Sequence, residues 1–128
     1  MKLLLDTHTF IWWDSDPAKL SPQVLALCDD SANTLLFSVV SAWEMQIKAQ
    51  LGKLTFNRPL ADLIAQQQAT NHLEILEISL AHVLALDSLP ASHKDPFDRL
   101  LVTQANSEGA VLLSRDPVFA QYPVNILW

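Results

Sequence analysis

Short continuous apolar runs alternate with amphipathic stretches along the whole of this chain. Lys2 to Leu5 (KLLL), Thr34 to Ser38 (TLLFS), Ala110 to Ser114 (AVLLS) and Val124 to Trp128 (VNILW) are mostly continuous apolar runs rather than clean alternations, the pattern of strands covered on both faces. Leu73 to Ile78 (LEILEI) reads either as alternation or as one more short strand. Between these runs the spacing turns helical. THTFIWW begins a short helix, and Ser21 followed by Pro22 marks a cap and a proline at the first helical position. A longer helix runs from about Val39 to Leu51, with Val40, Trp43, Ile47 and Leu51 on one face and Gly52 as its stop. RPLADLIAQQQAT places Leu60, Leu63 and Ile64 inward, and Ser79 caps a short helix. DPFDRLLVTQANSEG is a helix with Phe97, Leu100, Leu101 and Ala105 inward and Gly109 just past its end.

Alternation of this kind predicts a three-layer α/β/α domain with a mostly parallel central sheet of four to five strands. No linker, repeat or low-complexity stretch divides the chain, so residues 1–128 are expected to form a single domain.

Composition narrows the field. A net charge of −6 argues against a broad basic face for nonspecific nucleic-acid binding. Only two glycines occur, Gly52 and Gly109, too few for a Gly-rich phosphate loop or a dinucleotide fingerprint. The single cysteine, Cys28, excludes an internal disulfide and a Cys-rich zinc cluster, and reads as a small buried apolar residue. MKLLLD starts like a leader but meets Asp6, and no apolar run approaches membrane-spanning length. A cytoplasmic protein is the expectation.

The acids carry the candidate chemistry. Asp6 follows the first strand, Glu44 lies about one turn into the helix after the second, Asp95 and Asp98 open a later helix, and Asp116 follows VLLS. In open α/β sheets, ligands bind outside the carboxyl ends of the strands. Each acid also has a plain structural reading: capping for Asp6, Asp95 and Asp116, pairing with Lys48 for Glu44, and the helix dipole for Asp98. Jointly they are harder to explain so, because like charges about 4 Å apart repel by roughly 4 kcal/mol at an effective dielectric of 20. A divalent cation removes that cost, and an all-oxygen donor set suits Mg²⁺ or Mn²⁺ rather than zinc.

LLLDTHTFIWW, SVVSAWEMQIK, HKDPFDRLLVTQA and VLLSRD resemble, in that order, the signature segments of PIN-domain ribonucleases, and most closely the small toxins of VapC type. The resemblance spans Asp6 to Asp116. It implies a parallel sheet flanked by helices, an acidic crevice for Mg²⁺ or Mn²⁺, and endonucleolytic hydrolysis of RNA. It carries the metal-binding and catalytic roles onto Asp6, Glu44, Asp98 and Asp116, with Asp95 in support. A small antitoxin protein and a homodimer are the partners it implies.

Other residues have two readings each. Thr7, Ser38 and Ser114 adjoin acids and can orient them or act as caps. Arg99 and Arg115 can hold substrate phosphates or balance the acids, with balance favoured. Lys48, Lys53, Arg58 and Lys94 are expected on solvated surface. His8 and His93 flank acids, whereas His72 and His82 are expected at the surface or in helices. Trp12, Trp13 and Trp43 are expected to pack in the core or at a partner interface rather than to stack bases. Two rival functions remain. An α/β phosphotransfer protein also needs an aspartate after strand one, but DTHTF lacks a second acid two residues on. A non-catalytic binding module would use the acids only as caps.

Overall fold

The computed structural model describes residues 1–91 and 95–128. Five strands form one sheet: β1 (Lys2–Leu5), β2 (Thr34–Ser38), β3 (Glu74–Leu76), β4 (Val111–Leu113) and β5 (Ile126–Leu127). Their order is β3-β2-β1-β4-β5, and each neighbouring pair is parallel. The chain steps outward from β1 through β2 to β3, then returns to the other side of β1 with β4. The reversal lies between β1 and β4, where the crossover loops diverge and leave a crevice at the strands' carboxyl ends.

Six α-helices connect the strands among the described residues: α1 (Thr7–Ser15), α2 (Pro22–Asp29), α3 (Val39–Gln50), α4 (Leu60–Asn71), α5 (Leu80–Leu84) and α6 (Pro96–Glu108). They cover the sheet in two layers. Leu3 and Leu5 face a core with Phe10 and Trp13 of α1, Val24 and Cys28 of α2, and Leu60 and Leu63 of α4. Leu4 and Leu36 point the opposite way, into a core with Leu101, Val102 and Ala105 of α6. The period of two along a strand makes this division, and it explains why the strand runs are mostly apolar rather than alternating. The three-layer architecture expected from the sequence is the one observed. Cys28 is buried as expected, and burial pushes its thiol up to about 12.

Helix α3 departs from expectation. Trp43 and Leu51 are exposed, 53% and 63%, and its buried face is Val40, Ser41, Glu44 and Met45. Val40 joins one core and Met45 the other, so α3 crosses the end of the sheet. A helix in that position shows neither layer a clean apolar stripe, and one buried flank abuts the crevice. In α6, Leu100, Leu101 and Ala105 are buried as expected, Phe97 only partly, and the polar Thr103 and Gln104 are buried as well. Ile64 of α4 is likewise half-buried.

Gly109 ends α6 in the left-handed region at φ 62°, with open space where a Cβ would stand. Gly109→Ala therefore isolates a backbone cost, and it is expected to lower unfolding stability by about 1 kcal/mol in denaturant titration. An unchanged midpoint would show that the helix end does not need this conformation.

Candidate active site

Asp6 is the first residue beyond β1 and the N-cap of α1. Its Oδ1 accepts the Thr9 amide at 2.8 Å, and its Oδ2 accepts the Ser114 hydroxyl at 2.5 Å. The Asp6 amide donates to the Leu113 carbonyl at 3.2 Å, and Thr9 Oγ1 donates to the same carbonyl at 2.9 Å. The start of α1 is thus tied to the end of β4. Ser114 Oγ also accepts the Asp116 amide at 3.1 Å, so one buried serine links the two strand-end aspartates. Asp116 itself is exposed at the rim, and its Oδ1 accepts the Val118 amide at 3.0 Å.

Glu44 comes from α3 on the facing wall. It is buried, with Oε1 accepting the Thr7 hydroxyl at 2.6 Å and Oε2 paired with Lys48 Nζ at 3.0 Å. Asp95 caps α6, accepting the amides of Phe97 at 2.9 Å and Asp98 at 3.2 Å. That cap turns the first helical turn, and Asp98 with it, toward the other acids. The result is a crevice of about 110 Å³ lined by Asp6, Thr7, His8, Glu44, Lys48, Asp95, Asp98 and Asp116. A hollow of about 650 Å³ lies elsewhere, near the amino ends of β2 and β3 beside Thr34 and Glu74. Position at the carboxyl ends of the strands, not volume, singles out the acidic crevice.

Burial pushes the Asp6 carboxyl above the usual carboxylate range. The Ser114 and Thr9 hydrogen bonds and the nearby His8 pull in the opposite direction without cancelling it. A cation in the crevice would relieve the cost of ionising this group.

All four principal acids from the sequence line the one crevice, and Asp95 joins them. Thr7 holds Glu44, and Ser114 holds Asp6. Ser38 does neither: it caps α3 through the Val40 amide and donates to Gln104 Oε1 at 2.5 Å, tying α3 to α6. Arg99 does not line the crevice; its guanidinium donates to the Pro90 carbonyl at 2.6 Å and to the Tyr122 hydroxyl at 3.3 Å, fastening both to α6. Arg115 is exposed beside Asp116.

Lys48, expected on solvated surface, is half-buried in the crevice wall through its pairing with Glu44. Its i,i+4 spacing from Glu44 was the one signal in the sequence. Gln104 had none, because only packing shows that it bridges Ser38 and the Glu77 carbonyl. Lys53 and Arg58 are exposed, as is His72, whereas His82 of α5 is buried. His93 and Lys94 lie outside the described residues. Among the described residues, no three His, Cys, Asp or Glu side chains stand in position to hold an ion as they are. Hydrogen bonds to Thr9, Ser114 and Thr7 and the ion pair with Lys48 set the present rotamers of Asp6 and Glu44. The donor set itself, carboxylates only, is the chemistry a hard divalent cation requires.

A parallel α/β fold with carboxylates gathered at its switch point defines the class. The PIN domain family profile matches residues 3–125, and the chain belongs to the PIN domain family. It is similar to Ribonuclease VapC22 of Mycobacterium tuberculosis, at 27% identity over 115 residues covering 89% of this chain and 86% of that one. The fold resembles the VapBC2 complex of Rickettsia felis bound to a promoter DNA fragment, with a TM-score of 0.72, 17% identity, and 99% and 98% of the two chains covered. It also resembles DNA-bound VapBC of Salmonella typhimurium, with a TM-score of 0.69, 19% identity, and 99% and 97% covered.

The raised Asp6 value has a consequence for stability with a definite sign. A carboxyl raised in the folded state favours folding below its unfolded value, about 3.9, and loses that contribution as pH rises through the folded value. Asp6→Asn removes the titration and keeps the acceptor for the Thr9 amide, while its Nδ2 can only donate, so the Ser114 hydroxyl must turn to accept. With chelator present, the variant is expected to be the more stable protein at pH 7.5, and the gap should shrink toward pH 4. Denaturant melts across that range measure it; a gap independent of pH would show that the buried charge of Asp6 is not what separates the two proteins.

Proposed function

We propose that this chain is a divalent-metal-dependent endoribonuclease, the toxin of a toxin–antitoxin pair, acting in the cytoplasm as one PIN domain over residues 1–128. The observation that carries the reading is the meeting of Asp6, Glu44, Asp98 and Asp116, from four separate elements, in one small crevice. Support for RNA as substrate comes from the VapC22 relative, which is named a ribonuclease. Support for a small antitoxin comes from the VapBC complexes that share the fold. A homodimer is part of the same proposal.

The four acids would hold Mg²⁺ or Mn²⁺, with Asp95 keeping Asp98 in place. When bound there, the cation neutralises charge on the scissile phosphate and makes water a better nucleophile. The protein's own contribution is positional. Ser114 and Thr9 hold Asp6, and Thr7 holds Glu44, at the crevice, and a bound cation would draw these carboxylates from their present rotamers toward itself. Lys48 offsets the charge of Glu44 at the crevice wall, and the exposed Arg115 would meet backbone phosphate. The water oxygen bonds to phosphorus as the P–O3′ bond breaks, leaving a 5′-phosphate and a 3′-hydroxyl.

One observation favours the rival reading of a non-catalytic module: Asp6, Asp95 and Asp116 each accept helix amides. Metal response separates the two. Mn²⁺ should raise the melting temperature of the wild type and leave Asp6→Asn unchanged. Purified protein should cleave single-stranded RNA with Mg²⁺ or Mn²⁺ and stop on addition of EDTA. Asp98→Asn should retain its circular dichroism spectrum while kcat falls by about a hundredfold or more. Cleavage at the wild-type rate by both variants, or in EDTA, rules out the assignment.

A further inference from the structure

The acidic crevice continues into a second pocket of different character. About 280 Å³ in volume, it is lined by Asp6, His8, Trp12, Arg115, Asp116 and Pro117. Asp6, His8 and Asp116 belong to both hollows. Past those three, the wall is an indole, a proline ring and a guanidinium.

The three tryptophans near the acids are placed differently. Trp13 is buried in the core, and Trp43 is exposed with its edge against Phe97. Trp12 alone of the three lines the pocket. It is half-buried, anchored by an edge contact to Trp128 at 5.8 Å between ring centres, with His8 at 5.7 Å. The exposed Arg115 guanidinium stands over the indole at 5.6 Å from its centre. The Lys19 ammonium stands 6.0 Å from the same ring centre, so the indole attracts cations, and of the two the exposed Arg115 guanidinium is the one that lines the pocket.

We propose that this pocket seats a nucleobase of the RNA strand, stacked on Trp12, from the nucleotide adjoining the bond that is cut. The inference rests on the ribonuclease reading and adds a subsite to it. A phosphate that a cation would hold at Asp6 and Asp116 leaves the neighbouring base beside the Trp12 pocket, which shares those two acids. Stacking on an aromatic ring is the usual way that proteins hold the splayed bases of single-stranded RNA. Arg115 turns from the ring toward the backbone phosphate as the base enters, so the same residue keeps the slot filled without RNA and gains a charge partner with it.

Two measurements test this. In steady-state cleavage of a single-stranded RNA, Trp12→Leu keeps an apolar contact for Trp128 and removes the stacking face. Its KM is expected to rise about tenfold with kcat within about twofold of wild type, while Trp12→Phe stays close to wild type in both. An unchanged KM in Trp12→Leu overturns the proposal, as does equal loss in the Leu and Phe variants, which would mark Trp12 as packing alone. The second measurement needs no altered binding site. Nucleoside 5′-monophosphates should quench wild-type tryptophan fluorescence, whereas ribose 5-phosphate should not. Equal quenching by ribose 5-phosphate assigns the site to phosphate and overturns base stacking. If wild-type protein cleaves no RNA yet mononucleotides quench, the enzyme reading fails and the subsite stands; cleavage with neither quenching nor a KM effect fails the subsite alone.

Discussion

A buried carboxylate between two parallel strands is the constraint around which this protein is arranged. Asp6 leaves β1 at the point where β4 runs beside it, and burial there disfavours its ionised form. The surroundings offset part of that cost with fixed donors: the Thr9 amide on one oxygen and the Ser114 hydroxyl on the other. Those same donors tie α1 to β4 and Asp6 to Asp116. Charge placement and chain topology are therefore one problem, solved by one set of hydrogen bonds.

Capping and chemistry coexist at this end of the sheet. Asp6, Asp95 and Asp116 each accept a helix amide, yet each lines the crevice. A carboxylate oxygen has more than one lone pair, so accepting an amide does not exhaust it. Capping then keeps each of these carboxylates at the crevice and leaves it lone pairs to offer. Ser21, Ser38 and Ser79 cap their helices without bringing charge. The wall opposite is built otherwise. Glu44 sits past the first turn of α3, takes no helix amide, and depends on Thr7 and Lys48.

Helix α3 shows where local pattern misleads. Its apolar spacing pointed to Val40, Trp43, Ile47 and Leu51, but packing buried Val40, Ser41, Glu44 and Met45. The helix lies across the sheet end and serves two cores and the crevice together, so no single stripe describes it. The same displacement moved Lys48 from presumed surface into the crevice wall. Arg99 went the other way: adjacent to Asp98 in sequence, it faces the Pro90 carbonyl and Tyr122, since neighbours on a helix point about 100° apart.

The alternation of apolar runs and helical spacing determined the parallel three-layer fold, because burial on two faces leaves that mark on any strand. The positions of the acids at strand ends and helix starts were equally legible, since an element boundary is a local event. Tertiary structure alone decided which side chains meet. The Ser114 bond to Asp6 spans 108 residues, and the Ser38 bond to Gln104 spans 66. It also decided that Trp12, rather than Trp13 or Trp43, stands beside the acids. Side-chain direction in a crevice depends on how several elements pack at once, and no local spacing encodes it.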